Sequence, residues 1–281
     1  MRETSNPVFR SLPKQRGGYA QFGTGAAQGY YQADPYMAPY QEARDVRATR
    51  PLTIDDVVTK TGMTLGVLTA AAIVSFFLVT SNIALAMPLT LIGALGGLGL
   101  VLVATFGRKQ DSPAIVLSYA VLEGLFLGAV SFVFTHFQVS HANAGALIGE
   151  AVLGTFGVFF GMLVVYKTGA IRVTPKFTRM VVAALFGVLF LMLGNFVLAM
   201  FHVGGGTGLG LRSGGPLAII FSLVCIGIAA FSFLIDFDAA DQMIRAGAPD
   251  KAAWGIALGL TVTLVWLYLE ILRLLSYLQN D

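Results

Sequence analysis

Seven stretches of this chain are apolar from end to end, and they constrain the fold more than any other feature. A run of about 18 or more apolar residues is long enough for a helix to cross a hydrocarbon core roughly 30 Å thick. The chain is 56% hydrophobic and 12% charged, with a mean hydropathy of +0.76, which is typical of a membrane protein. We predict spans at 62–81, 85–106, 113–135, 144–166, 180–201, 216–237 and 252–277.

The pattern within these runs favours helices over a membrane barrel. Polar and apolar residues do not alternate along them, and a helix satisfies its own backbone hydrogen bonds in lipid. Glycine is frequent, as in GALGGLGL at 93–100, where small residues let neighbouring helices approach closely. We therefore predict an all-α membrane protein, with seven transmembrane helices in one bundle over residues 59–281.

Residues 1–58 differ sharply in composition from the rest of the chain. They contain GGYAQFGTGAAQGYYQADPYMAPY and show no apolar periodicity, which predicts a disordered tail. No short apolar core of a secretory signal precedes the first span, so we expect this tail to stay in the cytosol. At its end, PLTIDDVV offers Thr53 as an N-cap, with Asp55 and Asp56 in a first helical turn.

The distribution of positive charge predicts the orientation. All of the 18 lysines and arginines except Arg212 and Arg273 lie before the first span or in the connections after the second, fourth and sixth spans. Cytosolic loops near membrane segments collect Lys and Arg, so we expect a cytosolic N-terminus in a multi-pass protein of the plasma (inner) membrane. The net charge of +3 is accounted for by contact with the lipid bilayer, and we expect no nucleic-acid partner.

Ionisable residues inside the spans are the candidate functional residues. Unpaired charges within a bilayer cost several kcal/mol, so such residues usually face the bundle interior and mark a pathway or a switch. The candidates are Glu123 in the third span, Glu150 in the fourth, Asp236 and Asp238 at the end of the sixth, and Glu270 and Arg273 in the seventh.

Glu123 lies about ten residues into its span, roughly 15 Å from the cytosolic end. No basic residue stands within one turn of it, so it must be protonated, paired across helices or facing water. We therefore interpret Glu123 as part of a proton sensor or a cation-binding gate. Glu150 lies one to two turns below the outer surface, where it can reach the interface or act as a secondary acid of a pore.

The remaining acids each allow two interpretations. Glu270 and Arg273 are three positions apart on one helix face, so they form either a local ion pair, with Arg273 as counter-ion, or part of a conduction pathway. Asp236, Asp238 and Asp241 form either a solvated helix end, with Asp238 capping a short helix AADQMIRA, or a functional cluster at the cytosolic mouth.

Signatures of enzymes are weak in this sequence. The chain contains no HExxH, paired CxxC or phosphate-binding GxxxxGK motif, and its glycine-rich segment 204–215 joins two membrane spans. The single Cys225 is interpreted as a buried structural thiol. We expect no catalysis, no cofactor and no metal site.

Three segments resemble a known family: YAVLEGLFLGAVS in the third span, LIDFDAADQMI after the sixth and LVWLYLEILRLL in the seventh. Together with the seven spans, they are similar to the Bax inhibitor-one superfamily (transmembrane Bax inhibitor motif), in its bacterial branch with a long N-terminal extension. The resemblance implies a pH-sensitive calcium leak channel whose last helix lies near the bundle centre. It also implies that acids of the sixth and seventh helices share a proton-linked bond. Glu270 takes the seventh-helix position, and Asp236 or Asp238 the sixth.

The depths of these acids raise a problem for such a bond. If the seventh helix starts near residue 252, Glu270 lies about 27 Å from its cytosolic end, whereas Asp236 is expected close to the cytosolic surface. Either segment 238–251 folds into the membrane mouth, or the seventh helix begins well below the bilayer, or Glu270 pairs with Glu123 or Glu150.

We predict a cation leak channel, with calcium as the first candidate ion, gated by protonation of Asp236, Asp238 and Glu270 and lined by Glu123. Calcium prefers oxygen ligands, which carboxylates supply. The main alternative is a non-conducting membrane protein that regulates membrane proteolysis or stress responses through a membrane protease or another membrane protein. A third option is a proton-coupled solute carrier, although the sequence shows no clear inverted repeat.

Overall fold

The structure, a computed structural model, describes residues 50–137 and 144–279, and it confirms the seven-helix architecture. Each of seven helices in this part of the chain is long and apolar enough to cross a membrane. The predicted tail before residue 50 lies outside the described residues. The helices are α1 Ile54–Ser81, α2 Ala86–Phe106, α3 Pro113–Phe137, α4 Ala144–Thr168, α5 Pro175–Met200, α6 Pro216–Arg245 and α7 Ala252–Leu278.

Helix α1 begins eight residues before the predicted span because its first turns are polar but well capped. The Thr53 hydroxyl accepts a hydrogen bond from the Asp56 backbone N–H, and the Asp56 carboxylate accepts one from the Thr53 N–H at 3.1 Å. This capping box satisfies two backbone donors at the helix start, and it includes Thr53 as the N-cap that the sequence predicted. Hydropathy detects the apolar part of a helix, so it missed this polar extension.

Helix α6 continues without interruption to Arg245, eight residues past the predicted end at 237. The interpretation of AADQMIRA as a separate short helix capped by Asp238 was therefore wrong. Asp236 lies nine residues before the end of α6, roughly 14 Å along its axis, and not at a helix end.

Helix α7 forms the centre of the bundle, as the family resemblance implied. In its most apolar 18-residue window 67% of the residues are buried, compared with 11% in the corresponding windows of α4 and α5. Phe190 and Phe196 of α5 are among many large apolar side chains on the outside of the bundle. Such a surface is stable only against hydrocarbon, which fits a bundle surrounded by lipid.

Small residues allow the closest helix contacts, as expected from the glycine-rich runs. A Cβ atom on Gly93 of α2 would lie 2.6 Å from the Leu122 carbonyl oxygen of α3. On the other side of α3, Cβ atoms on Gly124 and Gly128 would overlap backbone carbonyl oxygens of α1. Helix α3 is therefore clamped between α1 and α2 at distances that only glycine permits.

The connections divide the bundle into two ends. The basic end contains residues 50–53, 107–112, 169–174 and 246–251. It is held together by the Leu52 N–H, which donates to the Ala248 carbonyl at 2.8 Å, and by Lys60, whose Nζ donates to the Asp250 carbonyl at 2.7 Å. The opposite end contains residues 82–85 and 201–215.

Candidate functional site

An acidic cluster lies near the basic end, where α4 meets α6. The Tyr166 hydroxyl of α4 is 3.4 Å from Asp238 Oδ1 and 3.3 Å from Asp241 Oδ2, so one phenol contacts two carboxylates. Gln242 Nε2 donates to Asp238 Oδ2 at 2.6 Å, and Arg245 forms an ion pair with Asp241 at 2.7 Å. We call Tyr166, Asp238 and Asp241 the inner cluster.

Asp236 lies deeper, between α6 and α7. Its Oδ2 accepts a hydrogen bond from Thr263 Oγ1 of α7 at 2.8 Å. Among the described residues, Asp236 forms no ion pair, so its partner is a neutral hydroxyl. Thr263 is 11 residues into α7, roughly 17 Å from the start of that helix. Asp236 therefore lies well inside both helices and not at a helix end, because α6 and α7 extend beyond it.

A second charged cluster lies toward the opposite end, around Glu270 of α7. Glu270 is 2% exposed, and its Oε1 accepts a hydrogen bond from Arg273 Nη1 at 2.6 Å. The same oxygen is 3.5 Å from Arg212 Nη2. The other carboxylate oxygen, Oε2, is buried and has no hydrogen-bond partner in the described part of the chain. We call Arg212, Glu270 and Arg273 the outer cluster.

The outer cluster combines two guanidinium groups with one carboxylate, so it carries an excess of positive charge. Burial and the neighbouring Arg273 lower the pKa of Arg212 from its ordinary value, whereas Glu270 raises it. Arg273 is also placed with its guanidinium 5.9 Å from the ring centroid of Phe134 in α3. The local ion pair predicted from the i, i+3 spacing is present, with Arg212 as an additional partner.

The glycine-rich connection between α5 and α6 brings Arg212 to Glu270. Several of its glycines have positive φ, a region that residues with a side chain rarely adopt. Gly208 (φ 65°) also lies so close to α5 that a Cβ would be 2.5 Å from the Asn195 carbonyl oxygen. The Asn195 side chain accepts a hydrogen bond from the Leu209 N–H at 2.7 Å, and Leu211 packs against Val188. The connection is therefore folded onto the bundle.

The structure does not bring Asp236 and Glu270 together. Asp236 bonds to Thr263, and Glu270 is seven residues further along α7, roughly 10 Å in the axial direction. Glu270 pairs with neither Glu123 nor Glu150, because its partners are the two arginines of the outer cluster. Asp236 and Glu270 thus belong to two separate sites along the axis of α7.

Glu123 and Glu150 lie apart from both clusters. The Glu123 carboxylate lies against Gly97 of α2, one turn from the buried Tyr119, and it forms no hydrogen bond or ion pair within residues 50–137 and 144–279. Glu150 is exposed near the opposite end, where Gln279 Nε2 donates to it at 3.3 Å. This exposed position fits the interpretation that the Glu150 side chain reaches the membrane–water interface.

Sequence reasoning missed Arg212 as a member of the site, although a signal was available. It is the single lysine or arginine in the connections that follow the first, third and fifth spans. Arg212 is an exception to the uneven distribution of Lys and Arg between the two sets of connections, which suggests that it has a specific partner. That partner is the buried carboxylate of Glu270. No group of three or more His, Cys, Asp or Glu residues that could hold a metal ion is found within the described ranges.

The comparison with known families agrees with this architecture. The sequence profile described as "Bax inhibitor 1 like" matches residues 6–280, almost the whole chain. The chain belongs to the Bax inhibitor 1 like family. This membership confirms the resemblance found in the third, sixth and seventh helices, and it establishes a multi-pass membrane protein in contact with lipid.

One relative of this family member is an uncharacterized protein from Chlamydia muridarum (strain MoPn / Nigg). The two sequences are 28% identical over 142 residues, which is 49% of this chain and 51% of the relative. The match therefore spans about half the length of each protein.

Proposed function

We propose that this Bax inhibitor 1 like protein is a proton-sensitive leak pathway for cations, with calcium as the first candidate. The observation that supports it most is Asp236, a carboxylate held inside the bundle between α6 and α7 by a neutral hydroxyl. An intramembrane carboxyl group without a basic partner changes its charge when it binds a proton, and that charge acts on the packing of the two helices around it.

The inner cluster indicates whether cation flux should rise or fall with increasing pH. Asp238 and Asp241 approach the same Tyr166 hydroxyl, so their carboxylates repel each other when both are ionised. Arg245 offsets part of this repulsion at Asp241. This repulsion acts where α4 meets α6. We expect flux to be low at acidic pH and to increase toward neutral pH.

The outer cluster closes the other end of the pathway in the conformation described. A cation that moves along α7 from Asp236 meets the excess positive charge of Arg212 and Arg273 before it leaves the bundle. Glu270 alone would attract that cation, so passage requires that Arg212 moves away. Glu270 thereby becomes the outer gating acid, with Glu123 and Glu150 as secondary acids.

The orientation in this proposal follows the positive charge of the connections. The basic end faces the cytosol, so the inner cluster lies on the cytosolic side, and the protein resides in the plasma (inner) membrane. The carboxylate oxygens of Asp236 and Glu270 suit a hard cation such as Ca²⁺.

The test is calcium flux into liposomes that contain the purified full-length protein, measured over a pH series. Asp236→Asn keeps the size of the side chain but cannot ionise, so we expect flux whose dependence on pH is largely lost. Asp55→Asn, at an exposed acid in the first turn of α1, is the matched control and should keep the wild-type profile. An identical pH profile for Asp236→Asn and wild type removes Asp236 from the mechanism.

Flux also separates the proposal from a role as a non-conducting interaction protein. A variant that lacks residues 1–45 should conduct like the full chain if the helical bundle is the pathway. Absence of flux from the full-length protein at every pH would favour a membrane protein that regulates proteolysis or stress responses through a partner.

A further inference from the structure

A cavity of about 400 Å³ opens on the side of the bundle between α1 and α4. Its floor is formed by Leu264, Val265 and Tyr268 of α7, and its wall on the α3 side includes Leu127 and Ser131. The volume is within the range of small-molecule sites, roughly 300–1,000 Å³. Neither charged cluster contributes to this cavity, so it is a separate feature of the fold.

The cavity lies at the depth of the hydrocarbon, in the half of the bundle nearer the opposite end. Its α4 wall includes Ile148 and Thr155, which are four and 11 residues from the start of that helix, or roughly 6 and 17 Å. Its α1 wall includes Phe77, four residues before that helix ends. The mouth therefore faces the acyl chains of one leaflet.

The rim and the interior of the cavity are both apolar. Ile73 and Phe77 on the α1 side of the rim are 52% and 66% exposed, and Val152 and Phe156 on the α4 side are 38% and 39% exposed. A rim of this composition opens to lipid and not to water.

The buried hydroxyl groups in the wall are already bonded within the protein. The hydroxyls of Ser131 and Tyr268 lie 2.8 Å apart and bond to each other, and Thr155 donates to the Ala151 carbonyl at 2.7 Å. Their hydrogen-bonding groups do not require a polar ligand. An apolar occupant suits the site better than water or an ion.

We propose that this cavity binds one acyl chain of a phospholipid from the leaflet at the opposite end. The tail segment GGYAQFGTGAAQGYYQADPYMAPY contains no apolar run that could fill it from within the chain. A flexible alkyl chain matches an irregular apolar space that opens sideways into a leaflet. Such a chain contacts α7 between Thr263, which binds Asp236, and Glu270 of the outer cluster, so it braces this part of the helix.

The test uses full-length protein in liposomes that contain phosphatidylcholine with a photoreactive diazirine near the middle of one acyl chain. After photolysis, mass spectrometry of the peptides locates the labelled residues. We expect label on Leu264 and Val265, which are 4% and 5% exposed and lie out of reach of lipid on the outer surface. Label confined to exposed positions such as Phe190 would overturn the proposal.

A pair of variants tests whether the label depends on the cavity. Ala72→Phe places a ring in the space, so label on Leu264 and Val265 should be lost. Ala183→Phe adds the same ring to an exposed position of α5 and should leave the labelling unchanged. Undiminished label on Leu264 and Val265 in Ala72→Phe contradicts the proposal. If that variant does not fold, the set of residues labelled in the wild-type protein still decides the question.

Discussion

Arg212 of the α5–α6 connection lies 3.5 Å from the buried carboxylate of Glu270 in the central helix. The two residues are 58 positions apart in sequence, and the contact depends on a loop whose glycines adopt positive φ. This contact couples the opposite end of the bundle to α7. It also makes the connection a candidate gate and not a passive link.

Replacing Arg212 should open the proposed pathway at this end. Arg212→Gln removes one of the two positive charges around Glu270, so we expect higher calcium flux into liposomes than in wild type at the same pH. Arg212→Lys keeps the charge and should give flux close to wild type. Unchanged or lower flux in Arg212→Gln would show that the outer cluster does not limit passage.

Glu270 itself should be important for stability. Glu270→Gln leaves Arg273, whose side chain is 13% exposed, without its carboxylate partner. Loss of one partner of a buried pair costs about 3 kcal/mol or more of the free energy of unfolding. Unfolding of the purified protein by denaturant in detergent measures this loss.

The double variant Glu270→Gln/Arg273→Gln distinguishes loss of an ion pair from loss of packing. Removal of both charges leaves no unpaired group of this pair, so the double variant should be more stable than Glu270→Gln alone. Equal stability of the single and double variants would mean that Arg273 does not need Glu270. If Glu270 is also a gating acid, the single variant shifts the pH profile of calcium flux, and an unchanged profile excludes it.

The number and order of the helices were predictable because bilayer thickness imposes a minimum length on each apolar run. The helix ends were less predictable, since α1 and α6 extend into polar residues that hydropathy does not score as part of a span. Thr53 could be identified as a cap from local sequence alone. The predicted cap at Asp238 was wrong because α6 continues to Arg245 through polar residues that hydropathy does not score.

The candidate residues lie within the helices, but their partners were not predictable from spacing along one helix. The Glu270–Arg273 pair is local, and its i, i+3 spacing indicated it as one of two interpretations. The contacts of Asp236 with Thr263 and of Glu270 with Arg212 join distant segments. Their formation depends on helix rotation and on the path of the glycine-rich connection, and neither is encoded in hydropathy.

The inner cluster predicts the effect of removing a single hydroxyl. Tyr166→Phe keeps the ring, which packs 5.9 Å from Phe237 between centroids, but removes the group that lies between Asp238 and Asp241. The repulsion between the carboxylates should then increase, and flux at neutral pH should rise.

A second variant provides the control for Tyr166→Phe. Asp238→Asn removes the repulsion, so it should lower flux at neutral pH, even when combined with Tyr166→Phe. The measurement is the pH series of calcium flux. If Tyr166→Phe and Asp238→Asn change flux in the same direction, repulsion within the inner cluster is not the cause.

The glycine contacts between α1 and α3 give a prediction about the scaffold. A methyl group on Gly124 or Gly128 would overlap backbone of α1, which cannot move aside as a flexible side chain can. Each alanine substitution should therefore separate the two helices and destabilise the protein by about 1–3 kcal/mol, the usual cost of overpacking. Gly157→Ala in α4 meets no atom within 4 Å and should be neutral or stabilising, because alanine favours a helix more than glycine does. Thermal unfolding in one detergent compares the three variants. A melting temperature of Gly124→Ala or Gly128→Ala at or above that of Gly157→Ala would show that α1 and α3 tolerate separation.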